Sequence, residues 1–293
     1  MENISAGTYN IYKDISARTN GDIYIGVVGP VRTGKSTFIK RFMDVMVLPE
    51  MEDENDRERA TDELPQSAQG KTIMTTEPKF VPKEAAKIQL AEDLEVKVRL
   101  IDCVGFMVEG ATGHQEDGNE RMVKTPWFDY EIPFTQAAEI GTQKVIREHS
   151  NIGIVLTTDG SITELPRESY IPAEEKTVAQ LKKLGKPFIV LLNTQKPYSA
   201  ESQKLSEELA HKYGVSVLPI NCEQLRKDDI YRILESILYE FPIERVEFYL
   251  PKWVEMLENT HKIKENIIEN ANNILNQFTY ARDARNVTLA PEG

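Results

Sequence analysis

The stretch IYIGVVGPVRTGKSTFIKRF limits the possible folds more than any other part of the chain. An apolar run at 23–28 meets Gly-x-x-x-x-Gly-Lys-Ser at 29–36, and an amphipathic helical pattern follows at once. Gly29 and Gly34 let backbone N–H groups turn inward around an anion. Lys35 stands where an ammonium spans the terminal phosphates of a nucleotide, and Ser36 where a hydroxyl ligates Mg2+. Thr37 falls at the helix N-terminus, beside an α-phosphate. Arg32 and Thr33 complete the set of candidate binding residues within the loop. A glycine-rich turn that binds nothing has no need of strand, motif and helix in register.

The rest of the chain repeats this alternation. Strands are expected at 23–29, 96–103, 152–158, 187–193 and 215–221, with 86–90 pairing antiparallel to the strand after it. Helices are expected at 35–47, 135–149, 172–185, 200–214 and 228–241, with Gly185 and Gly214 at C-cap positions. Strands this apolar are covered on both faces, which predicts an α/β fold with a mostly parallel sheet between helix layers. The domain organisation expected is a P-loop domain over 1–245 and a C-terminal helical segment over 246–293. That segment reads equally as the start of a second domain or as a helix packed on the first. Residues 105–134 are long for a connection and read as an inserted loop or hairpin. The charge run at 50–63 reads as a solvated helix or mobile loop, and 66–80 as a Gly- and Thr-rich loop.

Composition narrows the function classes. The chain of 293 residues is 40% hydrophobic, enough for a real core, with a formal net charge of −12. That charge argues against nucleic acid or anionic lipid as a direct partner. Two cysteines, Cys103 and Cys222, are too few for a disulfide framework or a zinc site. No apolar run approaches the ~18 residues of a membrane span, and MENISAGTYN is no signal peptide, so a cytosolic protein is expected.

A second motif, LIDCVG at 100–105, closes an apolar strand. Asp102 there can hold a Mg2+-bound water, and the N–H of Gly105 can meet a γ-phosphate. Between the motifs lies TIMTTEP, in which Thr75 and Thr76 are the candidates for completing the Mg2+ shell and sensing the γ-phosphate, ahead of Thr72. Where a hydrolysing GTPase often carries a water-orienting Gln, this chain has Phe106. Arg32 is a candidate substitute whose guanidinium can offset charge growing between the β- and γ-phosphates.

The base-reading segment departs from a GTPase. A guanine reader is Asn-Lys-x-Asp, its carboxylate accepting both donors of the guanine edge; here the residues are Asn193, Thr194, Gln195 and Lys196. Losing buried polar partners of this kind can cost a site ~10⁴-fold in selectivity. Asn193 or Gln195 can offer an amide carbonyl to the exocyclic amine of adenine, and Lys196 can lie along the base. Asp159 closes a different strand, and PINC at 219–222 takes the place of the last base-contacting loop. The expectation is a G-type machine that uses ATP.

Three segments, GDIYIGVVGPVRTGKSTFIKRFM, ELPQSAQGKTIMTTEPKFVP and IGIVLTTDGSI, resemble the N-terminal part of the stage IV sporulation protein A family, over nearly all of 11–255. These are morphogenetic ATPases of the spore coat basement layer in endospore-forming bacteria. The resemblance implies a translation-factor-like P-loop NTPase that hydrolyses ATP to polymerise around the forespore, in the mother-cell cytoplasm. It implies that Lys35 and Asp102 carry the Walker-A and Walker-B duties, and that Thr75 and Thr76 sense the nucleotide. The partners implied are further copies of the protein and other coat morphogenetic proteins. Membrane contact is implied only indirectly, through a small amphipathic peptide docking on a C-terminal region. Family members are longer, so the chain is expected to end inside a middle domain, with docking and complete assembly impaired. Two further readings stay open: a regulatory GTPase-like switch, which the missing aspartate opposes, and a structural protein with a non-hydrolysing site, which Phe106 permits. A nucleoside kinase fits least, for want of a lid with paired arginines.

Overall fold

The computed structural model describes residues 19, 21–65, 77–91, 94–111, 115–116, 119–243, 245–246 and 248–285. Strand β1 (Asp22–Val28) leads through the glycine loop into α1 (Lys35–Phe42), which runs on as a wider π-type turn over Met43–Val47. Phe38, Ile39, Phe42, Met43 and Met46 lie on the buried face of this run. The charge run folds as α2 (Glu54–Asp62). Asp53 caps it by accepting from the N–H of Asp56, and Glu54 and Asp56 put negative charge in its first turn, where the helix dipole favours it.

Strands β2 (Lys79–Ala91) and β3 (Leu94–Asp102) form the antiparallel pair, longer than the 86–90 the sequence marked. The 105–134 segment carries two small hairpins. The first joins β4 (Gln115–Glu116) to β5 (Asn119–Glu120), the second β6 (Met122–Thr125) to β7 (Phe128–Pro133). Helix α3 (Phe134–Lys144) follows, then β8 (Ile152–Thr158), α4 (Arg167–Lys183), β9 (Phe188–Asn193), α5 (Ala200–Tyr213), β10 (Val217–Ile220) and α6 (Lys227–Tyr239).

The main sheet has six strands in the order β10-β9-β8-β1-β3-β2, and every neighbouring pair except β2–β3 is parallel. All residues of β8 and β9 are buried, as strands covered on both faces must be. Val155, Val190 and Leu192 pack with Val178 and Leu181 of α4 and Leu209 and Tyr213 of α5 in one core cluster. Register brings the carboxyl ends of the parallel strands to one edge: Val27 stands opposite Asp102, Thr158 opposite Asn193, and Asn193 opposite Ile220. In open α/β sheets ligands bind outside this edge.

Two further expectations of element extent are corrected. Helix α4 begins at Arg167, not Pro172, and Pro172 sits inside it. The turn ahead of the proline is held by Tyr170, which has no solvent exposure, and by Arg167, whose guanidinium pairs with the buried Glu174. Those contacts outweigh the ring's tendency to start a helix. Among the described residues, the C-terminal stretch is not one helix but three: α7 (Lys252–Glu255), α8 (Lys262–Leu275) and α9 (Ala281–Arg285). His261 caps α8 by accepting from the N–H of Ile263, and the Lys264 ammonium donates to the carbonyl of Leu257 (2.9 Å), so the break has its own partners.

The chain divides into two compact units, one through Ile237 and one from Leu238. Within the second, Arg282 pairs with the buried carboxylate of Glu240, and the N–H of Ile243 donates to the carbonyl of Thr279 (2.9 Å).

Candidate nucleotide-binding site

Gly34 is the N-cap of α1 in a left-handed conformation, φ 92°, with no side-chain cap and no acid in the first turn. The helix therefore presents unpaired N–H groups and the positive end of its dipole to the loop. A Cβ at Gly34 would stand 2.4 Å from Asn193 Nδ2, so the close approach also demands glycine.

The Lys35 ammonium is nearly buried and donates to the carbonyls of Pro30 (2.6 Å) and Gly29 (3.4 Å). Burial lowers its pKa, while Cys103 and Asp102 act the other way. The Ser36 hydroxyl donates to Asp102 Oδ2 at 3.0 Å. Asp102 Oδ1 is buried and has no hydrogen-bond partner. Burial raises the Asp102 pKa, against the nearby Lys35 ammonium and the Ser36 hydroxyl. A desolvated cation and a desolvated anion with an idle oxygen are both disfavoured as charges, and both gain when an anion and a cation arrive.

The loop after β3 is locked to the glycine loop. Val31 N–H donates to the Phe106 carbonyl (2.9 Å) and Phe106 N–H to the Gly29 carbonyl (3.2 Å). Gly105, φ 96°, makes this possible: a Cβ there would lie 2.1 Å from the Gly29 oxygen and 2.7 Å from Lys35 Nζ. The Phe106 side chain is buried with Val31, Val108, Ala111 and Tyr170. Cys103 packs as a small apolar residue, its thiol pushed up to about 11 by burial. Arg32 is exposed and holds φ 61°, the one positive φ of a non-glycine side chain among the described residues. Thr33 is buried, its hydroxyl on the Pro30 carbonyl (3.0 Å), and Thr37 is half-buried. Thr72, Thr75 and Thr76 lie outside the described residues.

Asn193, expected beside the base, has both ends of its amide in use: Nδ2 donates to the Thr33 carbonyl (3.0 Å) and Oδ1 accepts from the N–H of Cys222 (3.1 Å). Both ends are used to brace the glycine loop against the turn after β10. Gln195 is exposed, with its backbone N–H on the Ser161 hydroxyl (3.0 Å). Asp159, which sequence separation set apart from this segment, adjoins it because β8 and β9 are neighbours: its Oδ2 accepts from the Thr194 hydroxyl at 2.6 Å. Asp159, Ser161, Thr194, Gln195 and Lys196 line a cleft of about 410 Å3. A larger groove, about 610 Å3, runs between α2 and β2 and includes none of the motif residues.

Sequence reading missed one buried cluster. Glu174, with no exposure, accepts from Arg167 (2.6 and 2.7 Å), from the Tyr213 hydroxyl (2.5 Å) and from Thr157. Burial and this carboxylate push the Tyr213 pKa up. Arg167 and Glu174, seven apart on one helix, were its legible signal; Thr157 and Tyr213 join only through the fold.

Comparison with known proteins decides the family. Residues 6–242 match the model for the ATPase domain of stage IV sporulation protein A, and residues 243–292 match its middle domain. The chain belongs to the stage IV sporulation protein A family. It is similar to the stage IV sporulation protein A of Bacillus anthracis, 51% identical over 95% of this chain and 56% of the relative. It is also similar to those of Clostridioides difficile, 54% identical over 88% of this chain and 53% of the relative, and Bacillus subtilis, 50% identical over 95% and 56%. The chain thus spans little over half the length of these curated relatives. The glycine loop, Asp102 and the Asn193 brace all fall within the family's ATPase domain. Among the described residues, no helix is long and apolar enough to cross a membrane.

Proposed function

We propose that the chain is a slow ATPase whose turnover drives self-assembly of the spore coat basement layer, in the mother-cell cytoplasm at the forespore surface. The observation that carries the reading is the contact of Ser36 with Asp102 beside the buried Lys35, at the carboxyl edge of the sheet. The Lys35 ammonium would exchange its carbonyl partners for the β- and γ-phosphates, whose charge offsets the cost of its burial. Mg2+ fits the site: Asp102 Oδ1 is an idle buried acceptor, Ser36 Oγ is adjacent, and the remaining ligands come from phosphate and water, the usual habit of this ion. It would neutralise charge on the terminal phosphates. Among the described residues no cluster of three acidic, His or Cys side chains offers an all-protein site.

Phe106 is packed away and cannot orient water, so transition-state charge falls to Arg32, which we place as a catalytic residue. Its left-handed backbone supports this, since a strained position of this kind at a phosphate loop persists where function needs it. Thr75 and Thr76 are proposed as sensors of the γ-phosphate. ATP is favoured over GTP because Asn193–Lys196 offers no guanine-reading aspartate. The strand order, with β3 directly beside β1 and β2 antiparallel at the edge, supports the translation-factor-like class. The change of family match at 242–243 supports an ATPase domain followed by the start of a middle domain. Partners proposed are further copies and other coat morphogenetic proteins, with membrane contact only through a small docking peptide.

The test is phosphate release from ATP and GTP with Mg2+. ATP turnover in the native chain, abolished in Lys35→Ala and lowered ~10²-fold or more in Arg32→Ala, is expected. GTP preference would favour the regulatory switch, and binding without turnover the structural alternative.

A further inference from the structure

Guanine and adenine present opposite hydrogen-bond polarity at their pairing edges. Guanine offers N1–H and N2–H donors and an O6 acceptor; adenine offers an N1 acceptor and an N6–H donor. A site that distinguishes them must therefore choose the sign of its own groups.

Three features of the fold set that sign. First, Asn193 fixes the register of the reading segment. It ties the end of β9 to the Thr33 carbonyl and to the N–H of Cys222, so it holds the first place of the tetrad and Lys196 the fourth, where a GTPase carries its carboxylate. Second, the segment is held in shape from below. Thr194 Oγ1 donates to Asp159 and accepts from the N–H of Lys196 (3.2 Å), while the Lys196 side chain is exposed at the cleft. Asp159 is occupied: Oδ1 accepts from the N–H (2.9 Å) and hydroxyl (2.6 Å) of Ser161, and Oδ2 from Thr194. Third, the turn after β10 has its donors occupied. The N–H groups of Glu223 and Gln224 both go to Asn221 Oδ1 (3.0 and 3.3 Å), and that of Cys222 goes to Asn193. An incoming O6 meets no available N–H at these three positions.

We propose that Lys196 and Asn221 select adenine by inverting the polarity of the base site. The Lys196 ammonium donates to adenine N1 and opposes the N1–H and N2–H of guanine, while Asn221 withholds the N–H groups that would otherwise donate to O6. This deepens the ATPase reading and rests on it. Glu201, exposed on the first turn of α5, is the other carboxylate of the cleft and serves as the control.

The test is equilibrium binding of the Mg2+ complexes of ATP, GTP and ITP to the native chain and to Lys196→Asp, Lys196→Ala, Asn221→Ala and Glu201→Gln. Circular dichroism confirms that each variant is folded. Lys196→Asp is expected to move the ATP:GTP preference toward GTP by at least about tenfold, and Lys196→Ala to move it part-way. Asn221→Ala is expected to improve GTP and ITP together, since both carry O6, and Glu201→Gln to change neither. Folded Lys196 variants that keep the native ratio overturn the inference and leave ATP use intact. A native chain that prefers GTP, or ignores ATP, removes the ATPase reading first and this one with it. A loss of discrimination in Glu201→Gln would assign selection to Glu201 and overturn the role of Lys196.

Discussion

A buried carboxylate oxygen with nothing to bond costs on the order of 1–3 kcal/mol, and Asp102 Oδ1 is such an atom. Burial also disfavours the charge of this carboxylate, so without nucleotide the neutral Asp102→Asn, although its amide inherits the idle position, should raise the unfolding temperature by roughly 2–4 °C per kcal/mol relieved, measured by calorimetry. Added Mg2+ and ATP should raise the unfolding temperature of the native chain but not that of this variant. The sign with pH follows from burial. The native fold keeps Asp102 protonated to higher pH than the unfolded chain does, so the native state binds the extra proton in that window. The contribution of Asp102 to stability therefore falls as pH rises from the ordinary carboxylate range through the raised native value, and Asp102→Asn should flatten that slope. At this scale the glycine loop was legible, because a strand–turn–helix motif is local. The duty of Asn193 was not: its partners, Thr33 and Cys222, lie 160 and 29 residues away.

Between elements, the Arg167–Glu174 pair joins α4 to β8 through Thr157 and to α5 through Tyr213. Removing one member leaves the other desolvated. Arg167→Ala should cost about 3–5 kcal/mol in urea unfolding, and the double variant Arg167→Met, Glu174→Leu markedly less, because no charge is stranded. Equal losses in both would mean that packing, not charge, holds the cluster. The strands were readable as apolar runs, and so was the parallel sheet they demand. The early start of α4 was not, because Pro172 is locally a helix-opening signal that buried Tyr170 and Arg167 override. The break between α7 and α8 is local, a run without apolar residues over 258–262, and His261 and Lys264 supply its caps.

In the molecule as a whole the two units differ in how much they bury. None of the residues of α8 is buried, and Trp253 and Met256 are 58% and 87% exposed, whereas β8 and β9 are wholly enclosed. Limited proteolysis should cut first beyond Leu238, leaving a core fragment that still binds ATP. Mg2+ and ATP at ~100 times Kd should stabilise that fragment by about 2.7 kcal/mol and leave the early cuts unchanged. Sequence alone determined the glycine loop between β1 and α1, the alternation of apolar strands with helices, and the absence of an acid at 193–196, since each is a matter of residue type within a dozen positions. Tertiary structure decided which distant groups share one edge. Parallel β8 and β9 set Asp159 under Thr194, and the crossover to β10 delivers Cys222 to Asn193. Pairing across a parallel sheet is a long-range choice, made by burial of whole faces, and no local pattern encodes it.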